Sequence, residues 1–393
     1  MARLKGFSRQ RGTALLMVLL LIALLGSVVA EFQYSSQIDL QLAVNARDEL
    51  QAEYNALSAL QVRAMLLRNA QTLQRSVGQL AGALGMGPEA MPSISQILEM
   101  IPVECGLLSA MTRTSESKSR HLDNDAAEED DFFVGECIAT SQSEHSKIPL
   151  RVLLSVRPEA RDRIVAMLAS LLVDPSLERH FQEDDLNGQH AESPQELIGA
   201  IADWMDRDEE QFFNKVSDEG RAYANLRDSY MPKNAPMDSV AELQLVYGVD
   251  DELYKILANR VSIYNESEQL ELGTSPIENI IGMLGVAARE GVQFSRDDPM
   301  VARSMAEIYA ALMELQGGGG GFAPGINLGL LRELTQQFAA GVIDPAQLGR
   351  FFTDRTDTTW YTIDAQGRVG NASRRIRAVF QAREGRFYHV RVE

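Results

Sequence analysis

The sequence predicts an α+β protein: a long N-terminal helix packed on an antiparallel sheet, with a large all-α unit inserted into that sheet. Three observations carry this. An apolar run at 13–30 passes into a polar stretch of helical periodicity. Short strand-like segments lie before about residue 157 and again after about residue 342. Between the two strand groups the pattern is helical and begins its helices with recognisable caps.

The apolar run, TALLMVLLLIALLGSVVA, carries no charge, and a bilayer is spanned by roughly 20 apolar residues, with a lower limit of about 17. Before it stands the leader MARLKGFSRQRG, with Arg3, Lys5, Arg9 and Arg11 and no acid; basic flanks of this kind stay on the cytoplasmic side, so the body crosses the membrane. Three fates fit the segment. Signal peptidase cutting at Ala30–Glu31 releases an exported soluble binding protein or enzyme. An uncleaved anchor keeps Met1. A cut at Gly12–Thr13 leaves the apolar helix on the mature chain. Beyond the run no Pro or Gly interrupts residues 31–77, and Leu50, Tyr54, Leu57, Leu60, Ala64 and Leu67 recur at spacings of three or four. One helix is therefore expected from the membrane to about Leu80, with these residues on its packed face.

Residues 81–100 follow as a loop and a short helix. VECGLLSAM, DFFVGECIATS and KIPLRVLLSV are expected strands, the first two separated by the polar, charge-rich stretch 112–131, an exposed loop. Cys105 and Cys137 are the chain's two cysteines. Export permits a disulfide between them, closing a loop of about 30 residues and contributing roughly 3 kcal/mol in the chain-entropy model; two buried free thiols are the other possibility. From Pro158 to Gly341 helices are expected at ARDRIVAMLASLLVD, at ELIGAIADWMD behind the start signal Ser193-Pro194-Gln195-Glu196, on both sides of Gly248, at ENIIGMLG, over 300–316 and at LGLLRELTQQFAAG; Gly317–Gly321 is a flexible connection. TWYTIDAQGRVG, SRRIRAVFQA and RFYHVRVE then form a meander. The expected division is a leader (1–12), a transmembrane part of the first helix (13–30), its exported part (31–80), strands and loop (81–157), an inserted helical domain (158–341) and returning strands (342–393).

The formal net charge of −18 becomes more negative if the leader is lost. Such a surface repels phosphate backbones, so nucleic acid is excluded as a partner. The helix–Gly248–helix segment at 238–257 has the form of a hairpin that elsewhere grips phosphate, but Asp250, Asp251 and Glu252 follow its turn. No enzyme is expected: the chain has no nucleophile elbow, P-loop or Rossmann fingerprint, and His121, His145, His180, His190 and His389 show no paired-ligand spacing. Asp203, Asp206, Asp208 and Glu209 stand at a helix end and its loop, where carboxylates so spaced can share Ca²⁺ through hard oxygen ligands. Helix capping and a solvated loop account for the same acids, and EF-hand spacing is absent.

A basic leader ending in Gly, then an apolar helix, resembles the class III signal of type IV pilins and type II secretion pseudopilins. Met17 stands where most of that superfamily carries Glu, a departure for which the protein K family of type II secretion minor pseudopilins is known. ELIGAIADWMDRDEE resembles that family's Asp-Trp pair followed by acids, with Asp203, Trp204, Asp206, Asp208 and Glu209 in register. NAPMDSVAELQLVYGVDDELYKIL resembles the segment that follows, LELGTSPIENIIGML its turn and helix, although Leu272-Gly273 departs from the usual polar pair, and TTWYTIDAQGRVGNASRRIRAVFQ its terminal strands. The resemblance implies a pilin-like fold with a SAM-like, helix-hairpin-helix-like insertion used for protein contacts. It also implies cleavage after Gly12 and methylation of Thr13 by prepilin peptidase, a single pass through the bacterial inner membrane with the body in the periplasm, and calcium in the helical domain with no other cofactor. The implied partners are the bilayer, the major pseudopilin, the inner-membrane secretion platform and other minor pseudopilins. With these the protein caps the tip of the pseudopilus and contributes to its initiation and to export across the outer membrane.

Overall fold

The computed structural model describes residues 10–83, 94–106, 134–173, 175–181, 191–215, 217–224, 226, 228–292, 294–295, 297–317, 326–354 and 358–393. The leader to Arg9, the connection at 84–93, the loop at 112–131 with His121, His190 and Gly318–Gly321 lie outside these residues.

Helix α1 runs unbroken over Gln10–Ala83, 74 residues. From residue 14 to residue 47 every position is exposed, including the apolar run from Ala14 onward, whose most apolar window has a mean hydropathy of 2.6. The second half packs on the sheet, and its buried face keeps Leu60, Ala64 and Leu67 of the expected set, with Leu57 packed against the core, but not Leu50 and Tyr54. Leu50 and Tyr54 are 56% and 59% exposed, whereas Ala52, Ala56, Ala59, Leu60, Ala64, Leu67 and Ala70 are buried. Close approach explains the choice. A Cβ added to Gly367 of the facing strand would lie 2.0 Å from the Ala52 carbonyl oxygen, so backbone meets backbone and only small side chains fit between. On the same face Arg63 is fully buried. Its Nε donates to Ser141 Oγ at 2.9 Å, Nη1 donates to the Ile101 carbonyl at 2.7 Å, and Nη2 donates to the Leu98 carbonyl. The guanidinium thus satisfies carbonyls at the end of helix α2 (Ile94–Met100), which would otherwise lack partners.

The sheet has the order β1-β2-β7-β8-β9 and is antiparallel throughout, with β1 Val103–Glu104, β2 Glu136–Ser143, β7 Trp360–Val369, β8 Ala372–Gln381 and β9 Arg386–Val392. Its inner face and α1 enclose one core, containing Leu60, Leu67, Ile363, Ile376 and Phe380. Cys105 and Cys137 are joined in a disulfide at its edge, with Cα atoms 5.0 Å apart. Two expected strands shrink. VECGLLSAM keeps Val103–Glu104 before turning helical at Cys105, and KIPLRVLLSV keeps Ile148–Pro149 (β3) before a 3₁₀ turn over Leu150–Leu154. Leu150, Val152 and Leu153 are all buried, a demand that an alternating strand with one wet face cannot meet.

The polypeptide leaves the sheet after β2 and returns to it at β7. Between them lie helices α3 (Pro158–Leu172), α4 (Pro194–Met205), α5 (Gly220–Ala224), α6 (Asp251–Leu257), α7 (Ile277–Met283), α8 (Pro299–Gly317), α9 (Leu328–Phe338) and α10 (Leu348–Phe351). Two short parallel pairings brace them: β3 with β4 (Val261–Ser262), and β5 (Leu270–Glu271) with β6 (Phe352–Thr353). The second core extends from Ile148 to Phe352, wider at both ends than the helical pattern of the sequence indicates. A buried polar seam joins the two units. Glu144 accepts from Lys147 Nζ, from Ser262 Oγ at 2.6 Å and from Thr362 Oγ1 at 2.6 Å. Burial alone would raise its pKa, but the Lys147 charge and these three hydrogen bonds hold the carboxyl below its ordinary range.

Candidate metal centre

Helix α4 starts where the sequence places it. The Ser193 side chain accepts from the Glu196 N–H at 3.2 Å, the Glu196 carboxylate accepts from the Glu192 N–H at 2.7 Å, and Pro194 opens the first turn. Residues Leu197–Met205 are all buried, so the last turn is held firmly. Trp204 donates through Nε1 to Glu242 at 3.3 Å and sits against the rings of Tyr223 and Tyr230, with centroids 6.0 and 6.3 Å away. The helix stops at Asp206, whose backbone is extended.

The following segment folds back on itself. Glu210 and Asp218 form an isolated antiparallel bridge, and the Glu219 N–H donates to the Glu209 carbonyl at 3.4 Å. Phe212 N–H donates to Asp203 Oδ1 at 2.7 Å, tying the loop to the helix end. This return brings Glu219 onto the acids of the last turn. Asp203, Asp206 and Glu219 each offer an oxygen, and these three oxygens lie within 4.8 Å of one another.

Asp203 and Glu219 are buried, at 6% and 3% exposure, and Asp206 is half-buried. Asp206 Oδ1 and both carboxylate oxygens of Glu219 are buried without a hydrogen-bond partner. So is Oδ1 of Asn234, a residue held at φ 49° whose amide nitrogen donates to the Asp208 carbonyl at 2.9 Å. Buried orphan acceptors are costly, and here they belong to groups that repel one another. Desolvation, the larger cause, and then the neighbouring acids push Asp206 up to about 6 and Glu219 up to about 8. Asp203 is pushed up to about 7, chiefly by burial and against the opposing bond from Phe212, with Asp206 and Asp208 adding to the rise. A hard divalent cation removes both penalties at once, by satisfying the lone pairs and by offsetting the charge. The all-oxygen donor set suits calcium and not a site built for zinc.

Of the four acids marked in the sequence, Asp203 and Asp206 enter the group and Asp208 and Glu209 do not. Asp208 is exposed and its Oδ1 accepts from the Glu210 N–H at 2.9 Å, capping the start of the turn; Glu209 is also exposed. Glu219 escapes sequence reasoning, because only the fold-back of 207–218 carries it to the helix end. Gly12 and Thr13 lie in the first turns of α1, and Met17 is 74% exposed. Of the described histidines, His180 is paired through Nδ1 with Asp250 Oδ2, and His389 lies on β9.

Residues 147–266 match the family model described as Type II secretion system (T2SS), protein K. The chain is 25% identical over 270 residues to Type II secretion system protein K of Klebsiella pneumoniae, a match covering 68% of this chain and 67% of that protein. It is 33% identical over 70 residues to the protein of the same name from Pectobacterium carotovorum subsp. carotovorum, covering 18% of this chain and 21% of that one. Among solved structures, the crystal structure of the GspK-GspI-GspJ complex from the enterotoxigenic Escherichia coli type 2 secretion system aligns at a TM-score of 0.44 and 15% identity, covering 92% of this chain and 97% of that one. The acid cluster and the aromatic residues behind it all fall within the stretch that matches the protein K family model.

Proposed function

We propose that this chain is a minor pseudopilin that is held in the inner membrane by the first half of α1, with its body in the periplasm, and that joins other minor pseudopilins at the tip of a pseudopilus. The observation that carries this is the division of α1. One continuous helix has an uncovered apolar half and a half packed beneath its own sheet, and it runs without a break through Ala30–Glu31. A filament subunit needs that layout, because the exposed half must find its cover in a membrane or among neighbouring subunits. Prepilin peptidase would cut after Gly12 and methylate Thr13. Met17 suits a subunit with nothing above it: in the wider pilin superfamily the Glu of an incoming subunit is held to neutralise the N-terminal amine of the subunit already above it, and a topmost subunit needs no such contact. Capping, initiation and contact with the major pseudopilin and the secretion platform are functions of assembly and require no catalytic group. Mass analysis of the mature N-terminus tests this directly. Methyl-Thr13 is expected; a chain beginning at Glu31 means an exported soluble protein, and one retaining Met1 means a plain anchor.

Within this role the acid cluster binds calcium through Asp203, Asp206 and Glu219, bracing the fold-back of 207–218 against α4. The unpartnered buried oxygens of Asp206 and Glu219 support it. Calcium titration followed calorimetrically, and by the fluorescence of Trp204 beside the cluster, should show one site. Asp206→Ala should weaken it at least tenfold; calcium binding unaffected by that substitution would remove the cluster from consideration.

A further inference from the structure

We propose that β9 is a docking edge for a β-strand of another protein whose side chains alternate between apolar and acidic. The sheet has two outer strands. β1 is two residues long, too short to template a partner, whereas β9 is seven residues long and has no strand on its outer side among the described residues. An exposed edge of that length presents a row of unpaired N–H and C=O groups, which proteins ordinarily shorten, bury or disrupt unless the edge is used.

The two faces of β9 are chemically distinct, and the register shows which is which. Val390 and Val392 pair with Ala378 and Ile376, buried residues of the core beneath α1, so both valines lie on that face. They are nevertheless 52% and 51% exposed, because the core ends at β8 and Phe387 alone of β9 packs against it. An added strand with apolar residues on this side would extend the core outward by one strand. On the opposite face Arg391 lies directly across from Arg377, and His389 across from Val379. Like charges directly opposite each other on adjacent strands are unfavourable. Arg377 donates to Asn259 Oδ1 at 3.3 Å, not to an acid, and the Arg391 ion pair at 2.9 Å is with Glu393, two residues along the same strand end. Arg386 lies over the ring of Tyr388, 5.3 Å from its centroid. In a chain of net charge −18, the β8–β9 ribbon carries Arg374, Arg375, Arg377, Arg383, Arg386 and Arg391 against Glu384; Arg374 and Arg375 are paired with Glu49 and Asp364, so the excess positive charge at the edge rests on Arg377, Arg383, Arg386 and, beside Glu393, Arg391. Arg377, His389 and Arg391 also line a cleft of about 120 Å³ between the sheet and the helical unit, whose two acids, Glu144 and Glu393, are paired with Lys147 and Arg391; acidic side chains of an added strand would point toward its Arg377 side. Acid on one face and apolar residues on the other is the complement that this edge asks for, and Arg386 and Arg391 disfavour a second copy of β9 in that place.

The test uses the full-length protein in detergent micelles and a peptide of about nine residues alternating Val and Glu, long enough to cover β9. Three peptides serve as controls: the same composition with Val and Glu in separate blocks, an alternating Val/Lys peptide, and the Val/Glu peptide N-methylated at alternate residues. The Val/Glu peptide should bind and slow amide exchange across 386–392 at least tenfold, and each control should bind at least tenfold more weakly. Arg391→Glu should shift the preference toward the Val/Lys peptide. The proposal is overturned if the blocked peptide binds equally well, which would mean charge attraction alone. It is overturned too if β9 exchange is unchanged, or if β9 is protected without peptide as protein concentration rises, which would mean a second copy covers it. The peptide comparisons are made on the unaltered chain, so they decide the matter even if the Arg391 variant does not fold.

Discussion

Glu219 has both carboxylate oxygens buried and unpartnered, and burial and the neighbouring acids raise its pKa to about 8, as they raise those of Asp203 and Asp206. For all three acids the folded value lies above the unfolded one, so the native state holds protons that the unfolded state has released. Their contribution to stability is greatest at low pH and is lost as pH rises from the ordinary carboxylate range through about 6 to about 8. Without metal, Glu219→Gln should therefore flatten the dependence of thermal stability on pH between roughly 5 and 8, and it should raise the melting temperature at pH 8 relative to the parent chain. With calcium present the order should reverse at pH 8, because the variant has lost a ligand; melting curves with calcium and with a chelator provide the comparison. Gly367 makes a different demand. Any side chain there meets the backbone of α1 at Ala52, and Gly367→Ala should cost about 2 kcal/mol in chemical denaturation.

Among the elements, α1 shows where sequence reasoning succeeds and where it stops. Its length and continuity were legible from an uninterrupted helical pattern ending near Leu80, three residues before the observed end at Ala83. Its packed face was legible from Leu57 to Leu67 but not at its start, because periodicity registers large apolar residues, while the sheet there selects Ala52 and Ala56 for close approach and leaves Leu50 and Tyr54 outside. The cap at Ser193 acts through local hydrogen bonds and could be anticipated, whereas Glu219 reaches the acid cluster only through tertiary folding. Arg63 was equally hidden, a cation on the buried face of a helix whose partners are carbonyls of another element. Arg63→Met keeps the volume and removes the donors, so it should destabilise the sheet unit by about 3 kcal/mol through orphaned carbonyls, and hydrogen exchange should localise the loss at α2. The disulfide between β1 and β2 belongs to the same scale. Cys105→Ser with Cys137→Ser should lower stability by roughly 3–4 kcal/mol, the loop-closure value for its span.

At the scale of the whole molecule, the two cores and the polar seam between them define how the chain is divided. The seam at Glu144, Lys147, Ser262 and Thr362 is fully hydrogen-bonded at the junction, so it should hold the two units in one relative orientation, and Thr362→Val should loosen that arrangement more than it unfolds either unit, as cross-linking distances across the junction would reveal. The sheet register adds a topological consequence. Ser143, the last residue of β2, pairs with Tyr361 near the start of β7, so the chain departs for the helical unit and comes back at adjacent points. Viewed along the backbone alone, the whole inserted unit, residues 144–359, is an oversized turn in a β-hairpin, and a short Asn-Gly turn could take its place without parting the strands that it joins.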